Sequence, residues 1–341
     1  MTNGGNPPSH FNGPYNSDFR DEAQLNQLYV IMEKPFDKCA DWDVGGRVDL
    51  LYGSDYFQAQ SKGWENNRNG SARWNDGNFN GLAIPQLYGA VGNDQLSVKV
   101  GHFYTVVGYE GVPAIGDFFY TRSYAYQFAG PFTHWGALAT YKPENALTIN
   151  AGLVNGWDAL DRVGNGLSFL GSASLAFSDD VKLTVGVITG NELNAAGTDS
   201  ANRTRYDVTL DVHVAKDLEW VLEHNYAVQQ NGDSRGQTSW YGLGSYLYYT
   251  LNPCWKAGLR YEWFRDQDGT RVAGAFAGDP NTGAYAGSFQ AITLGANWTP
   301  MANVCIRPQV QWDWFGGNGL PFDDRTAANQ FLAGLDAILQ F

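Results

Sequence analysis

Apolar and polar residues alternate with a period of two through most of this chain. In 40–53 one phase reads Trp42, Val44, Gly46, Val48, Leu50 and Tyr52, and the other Asp41, Asp43, Gly45, Arg47 and Asp49. In 254–266 Trp255, Ala257, Leu259, Tyr261 and Trp263 stand against Lys256, Gly258, Arg260 and Glu262. In 303–315 Val304, Ile306, Pro308, Val310, Trp312 and Trp314 oppose Arg307, Gln309, Gln311 and Asp313. A period of two sends each set to its own face of a sheet. One face is thus free of charge and the other is mostly polar.

About fifteen such runs are predicted as strands: 24–36, 40–53, 81–92, 95–107, 132–142, 146–157, 167–177, 181–192, 203–215, 218–230, 238–251, 254–266, 288–299, 303–315 and 329–341. At roughly 11–14 residues they exceed the ordinary globular strand of about 5–6. They suit a tilted strand that crosses a bilayer, which needs about 9–11 residues plus its ends. Alternation alone would equally serve a soluble sandwich, and the connections decide between the two. Every second one is very short, around Asp37–Lys38, Asn93–Asp94, Pro143–Asn145, Ser178–Asp180, Lys216–Asp217, Asn252–Pro253 and Pro300–Ala302. The intervening ones are often longer, notably 54–80, 108–131 and 267–287. Short turns at one end and long loops at the other are the pattern of a transmembrane up-and-down antiparallel β-barrel of the outer-membrane kind.

Aromatics at both ends of the apolar phase, Trp255 with Trp263 and Tyr241 with Tyr249, read as two interfacial girdles, with generic β-core aromatics as the alternative. The last run, Phe331, Ala333, Leu335, Ala337, Leu339 and Phe341, ends on a terminal aromatic carboxylate, as the closing strand of such barrels does. Bacterial single-chain barrels have even strand numbers. Counting back from 329–341 leaves one strand missing ahead of 24–36, because 1–22 reads as a polar loop. The expectation is a sixteen-stranded barrel over 23–341 whose first strand is lacking, with a gap or a parallel pairing between 24–36 and 329–341.

Composition agrees. The chain has 341 residues with 41 Gly, 19 Tyr, 19 Phe and 12 Trp, which argues for a β protein. No run of about 18 apolar residues exists to form a transmembrane helix. The net charge of −13 argues against a nucleic-acid partner. Residues 1–8 carry neither the basic nor the apolar region of a signal peptide. Cys39, Cys254 and Cys305 fit neither a zinc site nor a disulfide framework.

Several stretches together resemble the OmpL-like β-barrel porin family, from about Asp21 to Phe341. They are Gln24–Tyr29 with Glu33-Lys34-Pro35, then Asp43–Gly53, Phe118–Tyr124, Gly130–His134 and Tyr261–Asp266. The resemblance implies an outer-membrane pore of a Gram-negative-type bacterium and, within the family, a further strand ahead of the Gln24–Tyr29 segment.

A water-filled channel would take the polar phase inward. Its lumen would include Arg47, Asp49, Asp211, Glu223, Arg260, Glu262, Arg307 and Asp313, beside Asp43, Lys99, Arg205, Asp207, Glu219 and Lys256. Opposed acids and bases there would set a transverse field across a passage, or pair with one another and stiffen the wall. Arg47, Arg260 and Arg307 are expected to face acids such as Asp117 or Glu223 across the lumen, and the slight acidic excess points to a mild cation preference. Loop 108–131 carries Phe118, Phe119, Tyr120, Tyr124, Tyr126 and Phe128 around Asp117 and Arg122. Apolar surface on that scale must be buried. Folding into the barrel as a constriction loop would bury it and aim Asp117 and Arg122 at a solute; packing on the rim or on a neighbouring subunit is the alternative.

Asp266-Gln267-Asp268-Gly269 lacks the later Glu of a calcium loop and reads as a turn. His102 and His224 fall on the lipid-facing phase, where a subunit contact or interfacial depth would account for them. No GxSxG or HExxH motif supports catalysis, and no cofactor or metal site is expected. The expected function is a non-enzymatic outer-membrane porin for passive diffusion of small hydrophilic solutes and ions, in contact with lipid and with a homo-oligomer such as a trimer left open. The alternatives are a structural or adhesive barrel with a plugged lumen, or an outer-membrane hydrolase.

Overall fold

In the computed structural model all fifteen predicted runs are strands of one antiparallel up-and-down sheet. The structure describes residues 1–10, 12–14, 23–37, 39–67, 69, 71–75, 79–162, 166–194, 197, 199–272 and 284–341. After a two-residue strand β1 (Thr2–Asn3) come β2 (Leu28–Lys34), β3 (Asp43–Gly53), β4 (Gly81–Gly92), β5 (Leu96–Tyr104), β6 (Thr133–Glu144), β7 (Leu147–Val154) and β8 (Ser168–Ser178). The second half is β9 (Val181–Leu193), β10 (Ser200–Ala215), β11 (Leu218–Asp233), β12 (Gly236–Asn252), β13 (Trp255–Asp266), β14 (Gly287–Met301), β15 (Val304–Gly317) and β16 (Asn329–Leu339). Each strand pairs with its sequence neighbours from β2 to β16, and β1 adds to the far side of β16.

The expectation of a plain loop over 1–22, of which residues 11 and 15–22 lie outside the described residues, is corrected at Thr2–Asn3. Thr2 pairs antiparallel with Ala333 and Asn3 with Leu332, and Gly4 N donates to Phe331 O at 2.8 Å. The stub therefore runs in the sense that the parity argument requires of a strand preceding β2. The expected gap is also present: among the described residues no ladder joins β2 to β1 or β16, and the parallel closure does not form.

Burial follows the alternation with inside and outside exchanged relative to a soluble protein. In β13 the polar-phase residues Arg260, Glu262 and Asp266 are buried, while Leu259 and Tyr261 on the other phase are exposed. A shell of apolar residues around a polar interior needs a lipid solvent to be stable. The girdle aromatics meet across strands: Trp255 stacks on Trp298 at 5.7 Å near one end, and near the other Tyr206, Tyr226 and Tyr241 stack in a row at 5.9–6.0 Å, with Trp263 edge-on to Tyr241 at 5.6 Å.

Besides that gap, β4 carries a break in its ladders. Between Ala83 and Gln86 the β3–β4 register slips, and the β4–β5 ladder begins only at Leu87. Pro85 lies in this bulge, where a residue with no N–H costs no ladder bond. Neighbouring segments patch the freed backbone groups. Glu65 Oε1 accepts from Ile84 N at 2.9 Å, its Oε2 accepts from Ser61 N at 2.8 Å, and the His102 ring bonds Ile84 O through Nδ1 at 2.8 Å. Burial raises the Glu65 carboxyl to about 7, against the pull of those amide donors. His102 stacks on Trp135 at 4.8 Å, and Trp64 packs on Trp135 at 5.4 Å. Thus His102 keeps its outward position but is fully covered by its own chain. His224 stacks on Tyr206 at 5.7 Å.

The remaining local expectations resolve simply. Asp266 caps a turn by accepting from the amides of Thr270, Arg271 and Val272 at 2.9–3.1 Å. The three cysteines are free thiols.

Candidate functional site

The connection between β5 and β6 leaves the wall at Tyr104 and crosses the inside of the barrel before it rejoins the wall at Thr133. Its outgoing arm passes β9, where a Cβ on Gly186 would lie 3.1 Å from Val107. It then reaches β11 and β12: Tyr109 N donates to Glu223 Oε1 at 3.2 Å, and Tyr109 and Tyr248 share a hydroxyl contact of 3.3 Å. On the side of β2, Gln27 Nε2 donates to Val112 O at 2.8 Å and Gln27 Oε1 accepts from Ala114 N at 3.0 Å.

The aromatic stretch binds the opposite wall. Phe118 and Phe119 press on glycines of β13 and β14, with Phe118 2.2 Å from the place of a Cβ on Gly258. Glycine is required there because any side chain would collide with the ring. Gln309 Oε1 accepts from the amides of Tyr120 and Thr121 at 2.8 and 3.2 Å. Tyr124 N donates to Glu262 Oε2 at 2.6 Å, and the Tyr124 hydroxyl donates to Asp313 Oδ1 at 3.1 Å. On the return, Trp240 Nε1 donates to Ala129 O at 3.0 Å and Arg271 Nε to Phe128 O at 2.7 Å. Tyr120 OH reaches back to Asn26 Oδ1 at 3.2 Å, so the segment ties the β2 side of the barrel to β11–β15.

All eight wall residues named from the sequence lie on the inner phase, but they do not share one environment. Asp49, Glu223, Arg260, Glu262, Arg307 and Asp313 are buried, while Arg47 and Asp211 keep partial exposure. Nor do the arginines face Asp117 or Glu223 across open space, and that expectation is corrected. Arg260 pairs with Glu110 at 3.0 Å and Glu262 at 3.1 Å and donates to Thr121 O at 2.7 Å. Arg307 pairs with Asp336 on the next strand at 2.5 Å and donates to the carbonyls of Ala114 and Asp117. Arg47 pairs with Asp49 at 2.7 Å and Glu33 at 3.4 Å. Short range explains the difference, since an inward charge satisfies itself with the nearest carboxylate or carbonyl before it meets one across the bore. Asp117 and Arg122 pair with each other inside the loop. Sequence reasoning missed Glu110, Gln309 and Asp336, which carry as much of the attachment as the named residues. Only the inward phase of Gln309 and Asp336 could have flagged them.

Two carboxylates sit at the loop bases, Asp55 buried and Asp158 half-buried. Asp55 is raised by burial, against hydrogen bonds from Asn26 and Gln27 and the nearby Arg122 charge. Asp158 accepts from the amides of Phe132 and Thr133 at 2.8 Å and is raised to about 6, again by burial.

The other half of the inner wall is different in kind. On β6–β9 the inward positions Thr140, Asn150, Ser172, Ser174 and Thr184 are small, uncharged and half-buried. They form short polar chains, Thr140 to Asn150 to Ser172 at 2.7 and 3.0 Å and Ser174 with Thr184 at 2.9 Å. Beside them Lys99 lies over the Phe103 ring at 4.6 Å and the Tyr88 ring at 5.4 Å.

A sixteen-stranded apolar-shelled barrel, with an inner loop and a polar remainder to its lumen, defines the porin class of membrane β-barrel. The family model described as putative beta-barrel porin-2, OmpL-like, matches residues 1–341, and the chain belongs to that family. Solved structures agree in fold. The anion-selective porin from Comamonas acidovorans aligns with a TM-score of 0.59 at 8% identity, covering 92% of this chain and 89% of that one. Salmonella typhi OmpF, in complex with daunomycin, aligns with a TM-score of 0.58 at 13% identity over 93% and 92% of the two chains. The OmpT outer-membrane protein of Vibrio cholerae, in its trimer form, gives a TM-score of 0.55 at 12% identity over 93% and 97%. No curated protein matches the sequence.

Proposed function

We propose that this chain is an outer-membrane porin of a Gram-negative-type bacterium, a water-filled channel through which small hydrophilic solutes and ions diffuse passively, with 108–131 as its constriction loop. The observation that carries the reading is the attachment of that loop inside the barrel, to Gln27 and Asn26 on one side and to Glu223, Arg260, Glu262, Gln309 and Asp313 on the other. A loop fixed at so many points narrows a pore to a set aperture without closing it by chance movement. In this reading Arg47 and Asp211 touch the passing solute. The six buried wall residues, with Asp117 and Arg122, hold the aperture in shape and act on ions through the field they set. The outer aromatic girdles place lipid around the barrel, and a homotrimer is the assembly favoured by the trimeric fold neighbour.

The density of the loop's contacts also supports a second reading, a barrel plugged for a structural role. Conductance in a planar bilayer separates the two: discrete open-channel steps are expected, and a folded barrel that inserts without conducting would refute the pore.

A further inference from the structure

The two arms of loop 108–131 and the β10–β11 wall enclose a cleft of about 210 Å³ that none of the loop's own contacts fills. It is smaller than the roughly 300–1,000 Å³ typical of drug-sized sites, so it suits a single small ring. Tyr109, Tyr126 and Phe132 supply its aromatic lining, and Arg205, Glu110 and Glu223 its polar groups. Tyr126 is held by a bond from outside the cleft and by a neighbouring ring of its lining. Tyr126 OH donates to Gln58 at 3.0 Å, and Tyr126 packs against Phe132 at 5.0 Å.

The polar groups are engaged unequally. The Arg205 charge is met by Asp207 at 3.0 Å, yet its Nε is buried with no hydrogen-bond partner, and the side chain is 3% exposed. A buried guanidinium N–H without an acceptor costs free energy that a ligand oxygen would recover. Glu223 accepts from Tyr109 N and from Tyr246 OH, and Glu110 accepts from Ser123 N and Arg260, which leaves lone pairs on both carboxylates.

From this geometry we infer that the cleft binds a neutral, hydroxylated ring of monosaccharide size, held between the aromatic side chains with one oxygen accepting from Arg205 Nε and hydroxyls donating to Glu223 and Glu110. Two carboxylates against one already paired guanidinium disfavour an anion, and a cation would meet Arg205 at contact. A polyol offers donors and acceptors together and brings no charge to desolvate. The inference rests on the porin reading, since it makes the cleft a solute subsite beside the aperture.

The test is the current through the full-length protein in a planar bilayer, titrated with D-glucose, D-glucuronate and D-glucosamine, which share a ring and differ in charge. Glucose should reduce the current saturably, with both charged sugars at least about tenfold weaker. Phe132→Ala should raise the half-blocking glucose concentration about tenfold, the size of one lost ring contact, while Trp312→Ala on the outer wall should leave it unchanged. Block that never saturates, charged sugars as effective as glucose, or an unaltered Phe132→Ala channel would each overturn the site. Equilibrium dialysis of labelled glucose against the wild-type protein folded in detergent is the second readout. Saturable binding by a barrel that does not conduct would overturn the porin reading and keep the cleft, whereas conductance without saturable binding would overturn the cleft alone.

Discussion

The inner wall of the barrel has two unlike halves. On β11–β15 it is bulky, charged and covered: Arg260, Glu262 and Asp313 are 0–3% exposed beneath the loop. On β6–β9 a stretch of Thr140, Asn150, Ser172, Ser174 and Thr184 is short, neutral and half-open, with the charged Lys182 and Glu192 at the two ends of β9. The strands themselves follow the same division, at 8–13 residues for β6–β9 and 12–17 for β11–β15. The comparison teaches that inward charge in a barrel need not mark the solute's path. Here the densest charge anchors the loop, and in the proposed porin reading the solute meets the half-open wall, where charge is sparse.

The largest effect should come from breaking the anchored half. Arg260→Ala strands Glu110 and Glu262 without their cation, and removing one partner of a buried pair costs about 3–5 kcal/mol. Single-channel conductance should then rise and become noisy as the loop detaches, and 108–131 should become sensitive to protease while the barrel stays folded. A steric break should be smaller. A Cβ on Gly130 would sit 1.5 Å from an Arg205 guanidinium nitrogen, so Gly130→Ala should cost about 1–3 kcal/mol as overpacking, seen as lower thermal stability with a modest conductance change.

The open half responds in selectivity. Ser172→Glu puts a fixed negative charge on the half-open wall and should move the reversal potential toward cation preference. Glu262→Gln, which changes charge beneath the loop, should move it less than Ser172→Glu does; a larger shift from Glu262→Gln would exchange the roles of the halves.

How much of this was legible in the sequence follows from the range of the interactions. The alternation through 254–266 is local, so it revealed the strand, its inward phase and the girdle positions Trp255 and Trp263. The aromatic run Phe118–Phe128 revealed that 108–131 had to be buried, because apolar area is a property of composition. What that loop would meet was not legible: Gln309 and Asp313 lie about 190 residues from their loop partners Tyr120 and Tyr124. Nor was the bulge at Ile84–Pro85, whose stray backbone groups are satisfied by Glu65 and His102 from other segments. His102 looked misplaced on the outer face only because the Trp64 segment that covers it is brought there by tertiary packing.

The smallest effect concerns that patch. Because burial raises Glu65 from its ordinary 4.5 to about 7, its contribution to folding is fully present below about pH 4.5 and is lost as pH rises through 7. Amide exchange at Ser61 and Ile84 should therefore quicken between pH 5 and 8 beyond the intrinsic rise. Glu65→Gln, which keeps an acceptor without the charge, should abolish that extra dependence.

The proposed reading, in which solute passes the half-open wall and not the wall covered by the loop, is open to a direct test by thiol modification during current recording. With Cys39, Cys254 and Cys305 replaced by Ser, a single cysteine is placed at Ser172 or at Thr293, which is fully buried. A charged thiol reagent should cut the current of the Ser172→Cys channel and leave the Thr293→Cys channel unchanged. Modification at Thr293→Cys with none at Ser172→Cys would contradict the account.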